Sequence, residues 1–230
     1  MLIGILETGH VPETLEAQHG DYPAMFERLL GGRGLSFRSW AVVDMEFPAS
    51  IHEADGWLIT GSRHGTYEDL PFIEPLEAFV REAFEAKVPI VGICFGHQII
   101  AQALGGKVEK FAGGWAVGRQ EYTIGGRPYA LNAWHQDQIT ELPEGAEVIG
   151  NSDFCEYAAL AYDDLALSVQ PHPEFTGLFV EGLIDERGKG VVPDELLQQA
   201  RDDLPAPTNA DDIAEMIADF FLKHREKKHG

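Results

Sequence analysis

Apolar positions in the first half of the chain fall into short unbroken runs, each followed by a stretch of helical periodicity. Residues 2–6 read Leu-Ile-Gly-Ile-Leu, the pattern of a strand buried on both faces. Residues 7–20 are polar and irregular. Met25, Phe26, Leu29 and Leu30 then recur at helical spacing across residues 21–30, and Gly31-Gly32 ends that helix. Residues 36–43 and 56–60 read as the second and third strands, the third stopped by Gly61. Leu76, Phe79, Val80 and Phe84 mark one face of a helix over 72–86. The β-branched apolar run 88–93 is a fourth strand, and 95–104 is a helix closed by Gly105-Gly106. Strands alternating with helices predict βαβ crossovers and a parallel sheet.

After residue 106 the pattern changes. Short runs at 107–111, 118–124, 129–132, 146–150, 155–162 and 165–169 are separated by Gly, Pro and Asp. They predict strands, some joined as hairpins, and hence an antiparallel flank on the sheet. Residues 181–204 carry charge and glycine without an assignable period. Past Pro205-Ala-Pro207, Asn209 offers an N-cap with Asp211 and Asp212 in the first turn. Ile213, Met216, Ile217, Phe220 and Phe221 then form an amphipathic stripe that reads as core packing.

The composition is that of a globular chain long enough for a sizeable core: 230 residues, 44% hydrophobic and 24% charged. The net charge of −21 argues against nucleic acid or an anionic membrane as partner. The basic run Lys223–Lys228 reads as a charged helix end. Two cysteines, Cys94 and Cys155, make no disulfide scaffold. The N-terminus lacks a basic segment and a long apolar run, and no stretch of about 18 apolar residues exists, so a cytoplasmic location is expected. No His-x-x-x-His pair, Cys-x-x-Cys or G-x-G-x-x-G is present, and residues 182–189 miss the phosphate-loop spacing. Neither a metal nor a cofactor is expected.

The sharpest chemical signal is Gly92-Ile-Cys94-Phe-Gly96, at the junction of a buried strand and a helix. A nucleophile elbow has this layout, with small residues two before and two after the nucleophile so that backbone segments can crowd together. The helix N-terminus favours a thiolate, the reactive form of cysteine. The plainer reading is a buried apolar cysteine. A base is offered by Gln170-Pro171-His172-Pro173-Glu174. The flanking prolines hold His172 extended, and Glu174, two residues on, lies on the same side of an extended chain and can orient the ring. Backbone N–H groups in the loop Thr60-Gly61-Ser62, together with that of Phe95, could face a developing oxyanion.

The set Thr60-Gly61-Ser62, Gly92-Ile-Cys-Phe-Gly-His-Gln98, Trp134-His-Gln-Asp137 and Pro171-His-Pro-Glu174 resembles a class I glutamine amidotransferase domain over residues 55–175. The free-standing members most similar to it are guanylate-synthase-like amidotransferases and plant γ-glutamyl peptidases. The resemblance implies a flavodoxin-like α/β fold, an open mixed and mostly parallel sheet flanked by helices, and a Cys94–His172–Glu174 triad. It further implies that Gln98, with backbone atoms of Trp134, Gln136 and Asp137, helps hold glutamine, and that His97 is structural support. Gly61-Ser62-Arg63 departs from the family's usual Gly-Gly-Pro, which leaves loop shape and control open.

A single domain over 1–230 is expected, with a C-terminal extension, 176–230, that no recognised motif covers. The implied reaction is hydrolysis or transfer of the γ-glutamyl group of glutamine or a γ-glutamyl compound through a Cys94 thioester. With no synthase domain visible, the alternatives are a stand-alone enzyme or a glutaminase subunit feeding ammonia to a separate synthase chain. A silent partner-binding relative, or another cysteine hydrolase on a related fold, are the remaining readings.

Overall fold

The computed structural model describes residues 1–229, with side chains through Arg225. Of the basic run Lys223–Lys228, the side chains from Glu226 onward lie outside the described residues. In chain order β1 (Leu2–Leu6), α1 (Glu13–His19), α2 (Tyr22–Leu30), β2 (Ser36–Trp40), β3 (Gly56–Ile59), α3 (Ile73–Glu85), β4 (Ile90–Ile93) and α4 (Phe95–Ala103) form the alternating half. Seven strands follow: β5 (Lys107–Lys110), β6 (Ala116–Ile124), β7 (Arg127–His135), β8 (Asp137–Glu141), β9 (Ala146–Asn151), β10 (Ala159–Tyr162) and β11 (Ala166–Val169). Helices α5 (Gly177–Leu183), α6 (Asp194–Asp203) and α7 (Ala210–His229) end the chain.

The main sheet runs β2-β1-β3-β4-β11-β10-β9-β6-β7. Its first five strands pair in parallel and the rest antiparallel. Strands β5 and β8 form a separate antiparallel pair. The parallel block has the doubly wound order of flavodoxin-like folds, with β11 supplying the fifth position after the excursion through β5–β10.

Strands β3, β4 and β11 are buried along their whole length, because helices cover both faces. Trp57, Phe79, Phe95 and Ile99 belong to one layer of core. Phe26, Ile93 and the α7 residues Ile213, Ile217 and Phe221 belong to the other, so the C-terminal stripe is core packing. A third cluster joins Val11 and Tyr22 to Phe175, Phe179, Leu183 and Leu197, and so binds the C-terminal extension to the rim of the sheet.

Four local features depart from the sequence expectation. Helix α1 falls within the stretch read as irregular; it buries only Leu15 and so shows no apolar period. The second strand ends at Trp40, and Val42–Asp44 is a 3-10 turn that buries Val42. Strand β8 lies where no strand was expected, and it pairs with β5 apart from the main sheet. Asn209 also does other work than capping: its Oδ1 accepts from the Ala130 N–H at 2.9 Å and its own N–H donates to Ala130 O at 2.7 Å. These bonds satisfy the open edge of β7. Among the described residues no helix is long and apolar enough to cross a membrane.

The carboxyl ends of β1, β3, β4 and β11 converge on one edge of the sheet. They deliver Thr8, Gly61, Cys94 and the segment 170–174 to a common place, where open α/β sheets carry their sites.

Candidate active site

Cys94 occupies the turn from β4 into α4 with φ 52° and ψ −102°, a conformation L-residues rarely adopt. Three bonds hold it there: Cys94 N–H to Val169 O at 2.9 Å, Gln98 N–H to Cys94 O at 3.0 Å, and Gly96 N–H to Thr60 O at 3.1 Å. The flanking glycines are required by space. A Cβ on Gly96 would lie 2.2 Å from Ile59 O, and one on Gly92 would lie 2.4 Å from Gly96 O. The elbow expected from the pentapeptide is present, with its helix starting at the next residue.

His172 and Glu174 follow β11. The His172 N–H donates to Asn132 O of β7 at 2.8 Å, and the Asn132 amide donates to Phe175 O at 2.8 Å. The imidazole stacks on Phe175, centroids 3.9 Å apart and planes within 6°. Its Nδ1 donates to Glu174 Oε1 at 2.7 Å, and both side chains are buried. That bond leaves Nε2 as the nitrogen free for proton transfer. Gly61 sits against the same group: a Cβ there would lie 2.7 Å from His172 Cε1 and 3.7 Å from Cys94 Cβ. Thiol, imidazole and carboxylate are thereby brought together. Burial disfavours a charged ring, but the Cys94 sulfur and the Glu174 carboxylate outweigh it and raise the imidazolium to about 10. Such a ring carries its proton at neutral pH.

The loop after β3 is pinned from beneath by Thr8, at the end of β1. Thr8 N–H donates to Thr60 Oγ1, and the Thr8 hydroxyl lies 3.0 Å from both Thr60 O and Gly61 O. Ser62 Oγ in turn donates to Thr8 O at 2.7 Å and accepts from the His64 N–H at 3.1 Å. The serine that replaces the familiar second glycine therefore closes a small polar lattice. Nothing in the sequence pattern marks Thr8.

A cleft of about 370 Å³ opens over Cys94 and His172, walled by Ser62, Gln98, Trp134, Gln136 and Asp137. Glu174 is sealed behind His172, and Phe95 lies in the core against Phe72. Gln98 is oriented by its amide nitrogen, which donates to Asp137 O at 2.9 Å and Gln170 Oε1 at 3.0 Å. Both its N–H bonds are taken, so Gln98 can offer the cleft only its carbonyl oxygen. The Asp137 carboxylate accepts from Tyr67 Oη at 3.1 Å, and burial pushes its pKa up. Arg63, Lys110 and Arg187 bring positive charge to the rim of an otherwise acidic molecule. Arg187 comes from the C-terminal extension, which sequence patterning left unassigned.

His97 and the second thiol stand apart from this group. His97 is buried between Ser168 Oγ, 2.8 Å from Nδ1, and Tyr157 O, 2.9 Å from Nε2; burial holds it neutral, near 3. It is a strut between α4 and the sheet. Cys155 is buried and its thiol is pushed up to about 12 by burial, the opposite of a reactive cysteine.

Known proteins resemble this chain in sequence and in fold. The family model for class-I glutamine amidotransferases matches residues 26–178. Gamma-glutamyl peptidase 2 of Arabidopsis thaliana is 30% identical over 93% of this chain and 92% of its own length. A glutamine-hydrolyzing GMP synthase subunit from Methanopyrus kandleri is 39% identical over 40% of this chain and 55% of its own length. A crystal structure of a glutamine amidotransferase from Methylobacillus flagellatus superposes with a TM-score of 0.76 and 22% identity, covering 97% of this chain and 94% of that one.

Proposed function

The chain belongs to the class-I glutamine amidotransferase family, and we propose that within it this protein hydrolyses or transfers the γ-glutamyl group of glutamine or a γ-glutamyl compound through a thioester on Cys94. The observation that carries this reading is the strained Cys94 elbow facing a His172 ring that Glu174 fixes by its Nδ1.

The Cys94 thiolate attacks the γ-carbonyl carbon, and the carbonyl π pair moves onto oxygen. The N–H groups of Phe95 and of the Gly61-Ser62 turn receive that charge; loss of one such donor typically costs about 3 kcal/mol. As the tetrahedral adduct collapses, the C–N bond breaks and His172 Nε2 gives its proton to the departing nitrogen, which leaves as ammonia or a larger amine. Neutral His172 then takes a proton from water, whose oxygen attacks the thioester. Glutamate leaves, and the thiolate–imidazolium pair is restored. Gln98 Oε1, an acceptor by the bonds described above, suits the α-ammonium of the glutamyl group.

Similarity along nearly the whole length of a γ-glutamyl peptidase favours self-sufficient γ-glutamyl hydrolysis. Similarity over a shorter stretch to a GMP synthase subunit supports the second reading, a glutaminase that delivers ammonia to a separate synthase chain. Glutamine, glutathione and γ-glutamyl amines assayed with the isolated chain separate the two; turnover without any added protein is the expected result. Cys94→Ala should abolish product release while the protein stays folded, and a glutamine-mimicking diazoketone should label Cys94 and leave Cys155 untouched. Undiminished release by Cys94→Ala, or labelling confined to Cys155, would refute the mechanism.

A further inference from the structure

Phe175 covers one face of the His172 ring, with centroids 3.9 Å apart and planes within 6°. Two neutral aromatic rings avoid so close a sandwich and prefer offset or edge-on contacts, with centroids about 4.5–7 Å apart. The neighbouring pairs follow that preference. Phe175 and Phe179 are tilted by 58° at 4.6 Å, and Tyr22 meets Phe175 at 6.3 Å. A cation does the reverse and seeks the face of a ring, where the quadrupole is negative. The contact between His172 and Phe175 therefore has the geometry of an imidazolium on a π face.

The surroundings fix this arrangement. Phe175 is buried in the third core cluster beside Tyr22, Phe179 and Leu183. Its carbonyl oxygen accepts from the Asn132 amide at 2.8 Å, and Asn132 O accepts from the His172 N–H at 2.8 Å. One residue of β7 thus holds both members of the stack. The N–H bonds of an imidazole lie in its plane, so Glu174 Oε1, 2.7 Å from Nδ1, meets the edge of the ring. Phe175 acts from the face instead. His172 is 3% exposed, so water does little to solvate a charge there. The other titratable groups about the ring add no charge at neutral pH: burial holds His135 of β7 neutral, near 3, and burial pushes the Tyr22 hydroxyl of α2 up.

We propose that Phe175 is a positioning residue of the triad, whose π face stabilises the imidazolium form of His172. This rests on the thiolate–imidazolium pair proposed above. The aromatic face favours the charged ring over the neutral one, so its loss should let His172 release its proton at lower pH. Ionisation of the Cys94 thiol should not move, because the ring beside it is charged both before and after that step. An aliphatic side chain at position 175 fills space but has no quadrupole.

The test follows the His172 ring by nuclear magnetic resonance across the alkaline range, in the full chain with isotope-labelled histidine. The signal is assigned by its loss in His172→Asn. Phe175→Leu and Phe175→Tyr are compared with a chain carrying pentafluorophenylalanine in place of Phe175, which keeps the shape and reverses the charge distribution of the ring. From about 10 in wild type, the midpoint should fall by about 0.5–1.5 pH in Phe175→Leu and in the fluorinated chain. Phe175→Tyr should titrate as wild type does. The acid limb of Cys94 alkylation by iodoacetamide should stay in place throughout. A fluorinated chain whose His172 titrates with wild type overturns the proposal. So does an acid limb that climbs as the His172 midpoint falls, because that is the mark of a displaced ring. The fluorinated chain remains decisive if Phe175→Leu folds poorly. A wild-type ring that is neutral at pH 7 sinks the acyl-transfer mechanism and this assignment together, whereas a charged ring indifferent to fluorination sinks this assignment alone.

Discussion

Replacing Gly96 by alanine tests the elbow directly. The added Cβ would stand 2.2 Å from Ile59 O, 2.9 Å from Ile59 C and 3.0 Å from Ile59 Cβ. These atoms cannot retreat, because β3 is held between β1 and β4. The helix must give way instead, stretching the Gly96 N–H to Thr60 O bond. Overpacking of this kind costs about 3 kcal/mol, which for a chain of this size is a fall of about 6–12 °C in melting temperature. The same displacement carries Cys94 away from His172, and misplacement by about 1 Å costs on the order of 100-fold in rate. Gly92→Ala strikes Gly96 O at 2.4 Å and Gly96 C at 2.5 Å. The two substitutions displace the same Gly96 backbone through different contacts, so the double variant should depart from the sum. Calorimetry reads the stability. The rate of Cys94 alkylation by iodoacetamide reads the thiolate without reference to any substrate. A Gly96→Ala protein that melts with wild type and is alkylated at the wild-type rate would refute the account of the elbow.

Three further outcomes are expected. Glu174→Gln keeps the shape of the pair but removes the charge-assisted bond to His172 Nδ1, worth about 1.5–3 kcal/mol, so kcat should fall roughly 10- to 150-fold while the melting curve of the folded protein remains cooperative. His97 is held near 3 in the folded chain, against about 6.5 when unfolded. A folded pKa that is depressed contributes stability above pH 6.5 that is lost as pH falls toward 3, so between pH 6.5 and 5 His97 should account for about 2 kcal/mol of loss in denaturant midpoints, beside His135, which burial also holds near 3, and His97→Asn should make that slope shallower. Thr8→Val removes the hydroxyl that lies 3.0 Å from both Thr60 O and Gly61 O; stability should drop by about 1–3 kcal/mol, with a larger loss in turnover than in Cys94 alkylation, because the loop rather than the thiolate is disturbed.

What could be read ahead of the structure follows the range of the interactions involved. Strands β1, β3 and β4, helices α2–α4 and α7, and the elbow are encoded within a few neighbouring residues by apolar runs, helical spacing and paired glycines. The His172–Glu174 bond was legible because both residues lie on one extended, proline-flanked segment. Thr8, Asn132 and Phe175 carry no such mark. Thr8 acts 52 residues away on Thr60, and Asn132 acts across β7 on the His172 backbone. Helices α5 and α6 escaped because their burial is settled by the third core cluster, with partners as distant as Val11 and Tyr22.

This division of labour bears on specificity. The atoms proposed to react all sit on strand ends inside the stretch matched by the family model, where covalent geometry leaves little freedom: a strained φ at Cys94, a stacked ring at His172, glycines packed against backbone. The far wall of the cleft has another origin. Leu183, Arg187 and Val191 belong to the segment after β11, beyond the matched residues 26–178, and Arg187 is anchored on His10 at the opposite rim. Lys110, at the end of β5, and Arg63, in the loop after β3, line the same space. In a chain of net charge −21, three cations at one opening, beside Glu68 and Asp137, make this rim less acidic than the molecule as a whole. Sequence change in the extension can therefore reshape that wall of the cleft without disturbing thiol, ring or carboxylate. On the proposed chemistry, relatives with one triad could then act on γ-glutamyl compounds with different leaving groups, and the discriminating residues should be sought after residue 178 rather than in the motifs.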